Sequence, residues 1–297
     1  LLLRMPIPTS TGFGQRLTNI GNIENKGLEV ALNTVNLNGK FKWTTDFTFS
    51  ANRNKVLDLG GAEQQTFTDQ FSNGQFTGLL RVGESLGTWI GFETNGVFSY
   101  EDFDDDGALI DNSFGTPSNV NPNSIPKLGD VKYVDQNNDG IINDNDRTII
   151  ARTQPKHFGS MYNDFSYRGF NLGVFITYKY GFDVINGNKH RMVATGYDQF
   201  NKTGDLAYHW TPENTNTNVP RADYKDFNFT DRFVEDGSFV RLQSVNLSYN
   251  LPFDVVQNMG VKSLRIYTNI DNLYIWTKYS GYDPDVSVAR GQQALIT

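Results

Sequence analysis

A net charge of −7 over 297 residues, with no cysteine and only three histidines, excludes several classes of protein. Disulfide bonds and thiolate metal sites require cysteine, and an acidic chain lacks the basic surface that binds nucleic acid. No run of about 18 apolar residues is present, so no transmembrane helix is expected. Membrane-spanning strands remain possible, because their alternating residues average out as polar.

The first long pair of strands is predicted near the N-terminus. Residues 1–5 resemble the end of a strand, and alternating apolar and polar residues follow at 26–37 and 41–51. Such alternation places the two kinds of side chain on opposite faces of a strand. The dipeptide Asn38-Gly39 between the two stretches is typical of a two-residue hairpin turn. The sequence therefore predicts a long antiparallel hairpin with one aromatic face.

Residues 52–155 contain no comparable hairpin and are rich in Gly, Asp, Asn, Gln and Ser. We expect one local strand pair around residues 88–99. An acidic cluster at 102–106 resembles a calcium loop, but its twelfth position is Ser113, so we interpret the cluster as a solvated charge run. An irregular segment of about a hundred residues is uncommon inside a compact domain. Its length is explained if it forms a long extracellular loop region.

Residues 135–146 have the spacing of a twelve-residue calcium-binding loop. Oxygen-bearing side chains occupy positions 1, 3, 5, 9 and 12, Gly140 allows the sharp turn at position 6, and position 7 offers its backbone carbonyl. Ile142 is expected to anchor the loop in apolar packing. A solvated Asn/Asp turn is the alternative, and position 12 holds Asp where Glu is usual. The predicted ligands of a structural Ca2+ are Asp135, Asn137, Asp139, Ile141, Asn143 and Asp146.

The second half of the chain predicts four more strands. Residues 158–167 and 170–180 alternate strictly and are separated by Arg168-Gly169, which predicts a tight hairpin. Alternation returns at 239–251 and at 264–271, with a short connector at 252–262. A second polar excursion covers 181–230, and residues 278–297 are expected to form a final loop.

The connections are sorted by length along the predicted strand order. The short ones, at 38–39, 168–169 and 252–262, fall on one rim, and every long excursion falls on the other. Outer-membrane β-barrels have this arrangement, with short turns on one side and long loops on the other. A soluble sandwich has no physical reason to sort its loops. The predicted fold class is all-β: a transmembrane antiparallel β-barrel with long extracellular loops.

Several segments resemble the C-terminal barrel region of the SusC/RagA family of TonB-dependent outer-membrane transporters. They occur in the family's order across nearly the whole chain. The segments are NIGNIENKGLE at 19–29, GDVKYVDQNNDGIINDNDRTII at 129–150, WTPENTNTNVPR at 210–221, EDGSFVRL at 235–242 and NLYIWTKYSGYDPD at 272–285.

The resemblance implies a barrel of roughly 22 strands, of which this chain would supply about seven of the last eight. It also implies a plug and a TonB box outside these residues, together with a final strand. By resemblance, the receptor imports oligosaccharides or peptides across the bacterial outer membrane. A SusD-like surface lipoprotein would act as its lid, TonB would supply energy, and membrane lipid would surround the barrel.

Two other classes of protein are alternatives to the barrel. A secreted, calcium-stabilised, carbohydrate-binding β-sandwich would explain the aromatic residues and the acidic loops, but not the sorting of connections. An enzyme is disfavoured, because the carboxylates follow calcium spacing or scattered solvation rather than the paired placement of glycosidases. No Ser-His-Asp, phosphate-binding or zinc motif is present in the sequence.

Overall fold

The computed structural model describes residues 2–6, 10, 12–69, 76–111, 113–117, 126–193, 201–224, 228–258 and 260–285. Parts of the predicted loop regions 52–155 and 181–230, and residues 286–297 of the final loop, lie outside the described residues. Within the described ranges, no helix has the length and apolar character needed to cross a membrane.

Strands dominate the described residues. The strands are β1 (Leu2–Pro6), β2 (Gln15–Asn19), β3 (Gly21–Asn38), β4 (Phe41–Leu59), β5 (Gln64–Asp69), β6 (Phe76–Arg81), β7 (Thr88–Phe92), β8 (Thr94–Val97), β9 (Phe114–Gly115), β10 (Val131–Val134), β11 (Arg147–Arg152), β12 (His157–Tyr167), β13 (Phe170–Tyr180), β14 (Asp183–Ile185), β15 (Val234–Asp236), β16 (Phe239–Asn250) and β17 (Arg265–Thr277). The α-helices are α1 (Gly187–Val193) and α2 (Phe253–Asn258), and single 3-10 turns cover Tyr100–Asp102, Asp144–Asp146, Gly204–Tyr208 and Asp231–Phe233.

The chain divides into two compact units. The first contains Leu1–Ile23, Lys55–Thr153 and Val184–Glu235, and the second contains Glu24–Asn54, Gln154–Asp183 and Asp236–Thr297. The second unit is built around one antiparallel sheet in the order β17-β16-β13-β12-β4-β3. Six of the seven strands predicted from the sequence therefore form this sheet, and the seventh, β1, pairs with β2 instead.

The three short connections lie at one end of the six-stranded sheet. Tyr167 pairs with both Phe170 and Phe41, next to the turns at 168–169 and 39–40. Asn250 pairs with Arg265 at the same end, where the connector containing α2 joins β16 to β17. The long segments 60–156 and 181–238 leave and re-enter at the opposite end. The sheet thus has the sorting of connections that the sequence predicts.

One face of this sheet is apolar and the other is polar. Val174 pairs with Val245, and Val245 pairs with Ile270, so aliphatic side chains lie side by side across three strands. The neighbouring register positions, Gly173, Asn246 and Asn269, occupy the other face. Antiparallel register keeps the residues of each face on one side from strand to strand, because side chains alternate with a period of two. Asn163 and Thr45 are polar exceptions on the apolar face, and the Thr45 hydroxyl and the Trp43 indole N–H both donate to Asn163 Oδ1.

A β-bulge in β16 preserves the apolar face where the sequence pattern changes parity. Phe175 pairs with Ser244, but the next residue, Ile176, pairs with Leu242, which leaves Gln243 as an extra residue. On the apolar face, the residues of β16 have odd numbers after the bulge and even numbers before it; Phe239, opposite Lys179, lies on the other face. The inserted residue therefore brings Leu242 to the same face as Val245.

Aromatic residues form a row at each end of the apolar face. At the end with the short turns, Phe41, Tyr167, Phe170 and Tyr249 occupy consecutive register positions on four strands, and the rings of Phe170 and Tyr249 lie 4.2 Å apart. The row at the other end comprises Phe49, His157, Tyr178, Tyr180, Tyr274 and Trp276. Phe170 and Tyr180 stand ten residues apart in one strand, which is about 34 Å along it.

The region 52–155 contains more strands than the sequence predicts. The expected local pair at 88–99 does not form as a pair: β7 joins β6 and β11 in the sheet β11-β7-β6-β5, while β8 joins β10 in the sheet β8-β10-β9. The prediction was wrong here because β7 pairs with the preceding β6 and the distant β11, while β8 pairs with the distant β10. Local residue patterns carry no information about such pairings.

Candidate functional sites: the acidic loop and the buried ion pairs

The acidic loop 135–146 connects two of the small sheets of the first unit. It follows β10 in the sheet β8-β10-β9 and precedes β11 in the sheet β11-β7-β6-β5. Ile142 is 4% exposed and packs in a core with Phe92, Val131 and Tyr133, as the sequence predicts. The conformation of the loop therefore determines how these two sheets are joined.

Two buried carboxylates at positions 1 and 12 close the loop. Asp135 is 4% exposed and accepts the backbone N–H of Gly140 at 2.7 Å. Asp146 is fully buried and accepts the backbone N–H groups of Gln136 at 3.0 Å and Asn143 at 2.7 Å. These bonds tie the first turn of the loop to its last.

In the middle of the loop, side-chain oxygens accept backbone N–H groups two residues further along the chain. Asn137 accepts the backbone N–H of Asp139 at 3.0 Å, and Asp139 accepts that of Ile141 at 2.8 Å. The Asn143 amide donates to the carbonyl of Ile141 at 3.1 Å. Gly140 has a φ of +79°, a conformation that glycine adopts without strain, as the predicted sharp turn requires.

Asp135 is held in its ionised form. Burial disfavours the carboxylate, but hydrogen bonds from the backbone N–H groups of Gly140, Asn138 and Asp139 outweigh that cost, so the pKa of Asp135 lies below its ordinary value. An ionised carboxylate at position 1 is what a hard cation needs as its first ligand.

All six predicted ligands lie in this one closed loop, and their chemistry fits calcium. Each carboxylate oxygen that accepts one N–H keeps further lone-pair capacity. In the part of the chain that the structure describes, no group of three or more His, Cys, Asp or Glu side chains is placed to hold a metal. A cation in the loop would therefore depend on the amide oxygens of Asn137 and Asn143 and on the carbonyl of Ile141. The calcium site stays a prediction.

The acidic side chains of the second cluster, 102–106, form bonds within the protein. The side chain of Asp104 accepts the backbone N–H groups of Asp106 and Ala108, and both aspartates are exposed. Asp102 is partly buried and pairs with Lys132 at 3.0 Å. Asp104 and Asp106 are thus solvated, as the sequence predicts. Asp102 instead attaches the turn to β10 through Lys132.

A buried ion pair joins two of the segments that carry the family resemblance. Arg221 Nε lies 2.7 Å from Asp130 Oδ1, and the side chain of Asp130 is only 3% exposed. The backbone N–H of Arg221 donates to the carbonyl of Gly129 at 2.9 Å. A Cβ atom on Gly129 would lie 2.9 Å from both Trp210 and Arg221, so only glycine permits this close approach. The segments 129–150 and 210–221 therefore fold against each other.

A second buried ion pair joins two more of these segments. The Arg241 guanidinium donates to both oxygens of Asp283, at 2.9 Å and 2.6 Å, and its side chain is 9% exposed. The guanidinium also lies 5.1 Å from the ring centroid of Phe239. A bidentate arginine–carboxylate pair fixes distance and orientation together. The segments 235–242 and 272–285 are locked by it.

This chain resembles several known proteins. TonB-dependent receptor P3 of Formosa agariphila is 33% identical over 292 residues, which are 97% of this chain and 28% of that relative. TonB-dependent receptor SusC of Bacteroides thetaiotaomicron is 23% identical over 300 residues, 96% of this chain and 26% of SusC. A solved structure of the RagAB peptide transporter superposes with a TM-score of 0.75 at 22% identity, over 96% of this chain and 29% of that chain. No family model matches the sequence.

The chain belongs to the SusC/RagA-like TonB-dependent receptors. It spans less than a third of the length of the relatives that it matches. Its six-stranded sheet is part of the wall of a transmembrane β-barrel, so the β-sandwich alternative is not supported. In such a barrel the apolar face contacts lipid and the polar face lines the lumen. The relatives are receptors of a transporter family, not enzymes.

The residue pattern of the sequence does not predict these two ion pairs. Arg221 and Asp130 are separated by 91 residues, and Arg241 and Asp283 by 42. Charge pairs at such separations leave no periodic signal in the sequence. The one available signal was the family resemblance, because each partner lies in a segment that carries it.

We expect Asp146→Ala to destabilise the acidic loop even without calcium. The substitution leaves the partly buried N–H groups of Gln136 and Asn143 without their carboxylate acceptor, at about 1 kcal/mol for each bond. Hydrogen exchange of residues 135–146, measured in the full-length receptor with a chelator, should accelerate. Asp144→Ala is the control, because that side chain is 84% exposed and its pair with Arg147 contributes about 0–1 kcal/mol. Equal exchange in the two variants contradicts the prediction.

The assignment of faces predicts unequal tolerance of charge at adjacent positions of β16. Val245→Lys places an ammonium on the lipid face midway between the aromatic rows and should lower the free energy of unfolding from a bilayer by about 2–4 kcal/mol. Asn246→Lys places the same charge in the lumen and should have a much smaller effect. Equilibrium unfolding of the full-length receptor from lipid vesicles measures both. A similar cost for both variants would show that the faces are assigned wrongly.

Proposed function

We propose that this chain is part of an outer-membrane receptor that imports oligosaccharides or peptides with energy from TonB. The single observation that supports it best is the six-stranded sheet, with its aliphatic band between two aromatic rows and its polar opposite face. Phe170 and Tyr180 lie about 34 Å apart along β13. Tilted by 35–45°, that strand spans about 25 Å of membrane, which matches the apolar band of outer-membrane barrels.

The partners follow from the family. SusC is a relative, and the matched solved structure is of a peptide transporter, RagAB. On that basis we expect a SusD-like surface lipoprotein to cover the end of the barrel where the long segments 60–156 and 181–238 emerge. TonB would act through a plug outside these residues. Both kinds of cargo remain candidates, because the relatives include SusC and a peptide transporter.

We also propose that Ca2+ binds in the loop 135–146 as a structural ion. The six ligands would be Asp135, Asn137, Asp139, Ile141, Asn143 and Asp146. Bound calcium would neutralise the carboxylates and hold the loop in one conformation, which offsets the entropy cost of ordering a long extracellular segment. The support comes from the loop's two buried carboxylates and from its position between two sheets.

Deletion of the gene for the full-length receptor should abolish growth on the imported cargo and leave growth on its small building blocks unchanged. Pools of oligosaccharides and of peptides, each supplied as sole carbon source, distinguish the two kinds of cargo. A TonB-deficient strain should show the same loss as the deletion strain. Unchanged uptake of both pools in the deletion strain would contradict the proposed import.

Calcium should slow hydrogen exchange of residues 135–146 several-fold in the full-length receptor. Asp139→Asn removes a predicted ligand charge at an exposed position and should abolish this slowing. Asp144→Asn is the matched control, since Asp144 lies in the same loop and outside the predicted ligand set, and it should respond as the native receptor does. Exchange that is insensitive to calcium in the native receptor would refute the site.

A further inference from the structure

The chain that follows β17 turns back across the polar face of the sheet. The residues that hold it there, Lys179 and Arg241, occupy register positions of the polar face, because their neighbours Tyr178 and Val240 pair with each other on the apolar face. Within residues 278–285, Asp283 bonds to Arg241 and Asp285 bonds to Lys179. We call residues 278–285 the strap. Since the polar face lines the lumen, the strap lies on the luminal side of the wall.

Two ion pairs fasten the strap to two neighbouring strands. Asp283 binds Arg241 of β16 through both of its oxygens, and Asp285 pairs with Lys179 of β13. The backbone N–H of Asp285 donates to Asp283 Oδ1 at 2.8 Å, which fixes the spacing of the two acids. Near the start of the strap, the backbone N–H of Tyr279 donates to Thr277 Oγ1 at 3.1 Å. The strap is therefore attached at its start and at its end.

Asp283 is ionised, as its ion pair with Arg241 requires. Burial disfavours ionisation of Asp283, but the hydrogen bonds from Arg241 and from the Asp285 backbone outweigh it, so the pKa of Asp283 lies below its ordinary value. The carboxylate is thus ionised at neutral pH and contributes stability above its unfolded pKa. That contribution is lost only as the pH falls through the lowered folded value.

The strap presents one large side chain away from the wall. Tyr282 directly precedes the anchored Asp283 and is 92% exposed. Loops at a protein surface are usually mobile, but the backbone of Tyr282 is restrained by the ion pairs of Asp283 and Asp285 on one side and by the hydrogen bond of Tyr279 to Thr277 on the other. When a solute contacts this ring, the entropy lost is mainly that of the side-chain rotamers, because the backbone is already restrained.

We propose that the strap is a fixed constriction of the cargo path, with Arg241 and Lys179 as positioning residues and Tyr282 as the side chain that limits what passes. The proposal rests on the proposed function only in that cargo crosses this lumen. It assigns a size-selecting role to residues whose ion pairs would otherwise serve only to pack a loop. The alternative is that the segment moves freely and leaves the lumen open.

The position of the strap can be measured without any cargo. Spin labels would be placed at Tyr282→Cys and Asn250→Cys in a cysteine-free background of the full-length receptor; the present residues contribute no cysteine. Asn250 lies nine residues along β16 from Arg241, so we expect a narrow distance distribution centred at about 30 Å. Adding Arg241→Gln and Lys179→Gln should broaden it. Lys42→Gln, which removes a polar-face charge with no ion pair among the described residues, should not.

The constriction itself is tested by the accessibility of Asn246→Cys on the polar face. A small methanethiosulfonate should modify this cysteine at the same rate whether or not the strap is anchored. A polyethylene-glycol maleimide should react several-fold faster after Arg241→Gln with Lys179→Gln, and also after Tyr282→Ala, but not after Lys42→Gln.

Two results would overturn the proposal. One is a broad distance distribution in the receptor with its ion pairs intact. The other is a labelling rate with the large reagent that does not depend on the strap. Neither measurement involves TonB or transport, so failure of the strap and failure of the proposed import are distinguishable.

Discussion

The structure of the wall depends on one constraint, the need to satisfy every backbone hydrogen bond where no water is present. In hydrocarbon, an unpaired N–H or C=O costs several kcal/mol, so spanning strands must pair without interruption along their length. The six-stranded sheet obeys this: ten or more consecutive pairs join β12 to each of its neighbours. Even the extra residue Gln243 serves the same constraint, because it restores the apolar face without ending the pairing.

Outside the wall, other interactions must order the chain. Water can satisfy free backbone groups there, so hydrogen bonding alone does not select one conformation for a long segment. Buried arginine–aspartate pairs perform that selection in both units: Arg221 with Asp130 in the first, and Arg241 with Asp283 in the second. Breaking such a pair leaves one charge buried and uncompensated, which costs far more than losing an exposed pair. The free-energy cost of separating these charges therefore keeps the paired segments in one arrangement.

The sequence predicts the parts of the fold that follow local rules. Strict alternation identified β12, β13, β16 and the central part of β3 and β4, and Asn38-Gly39 and Arg168-Gly169 marked their turns. The small sheets between 60 and 156 escaped prediction, because β7 pairs with β11 across more than fifty intervening residues. For the acidic loop, spacing alone placed all six predicted ligands in one closed turn and predicted the burial of Ile142. The strap was expected only as a loop, since its attachment depends on residues up to 106 positions away.

The two kinds of order have different consequences for the import that we propose. Strand pairing fixes the wall as a whole, so no single wall residue can adapt to a solute without disturbing its neighbours. A segment held by a few ion pairs can be rigid and still be altered independently of the wall. Tyr282 belongs to such a segment: its ring is exposed, and Asp283 and Asp285 after it are held by ion pairs. If the strap selects cargo as we propose, a substitution at Tyr282 alone would change that selectivity, while the ion pairs of Arg241 and Lys179 and the strand pairing of the wall would stay as they are.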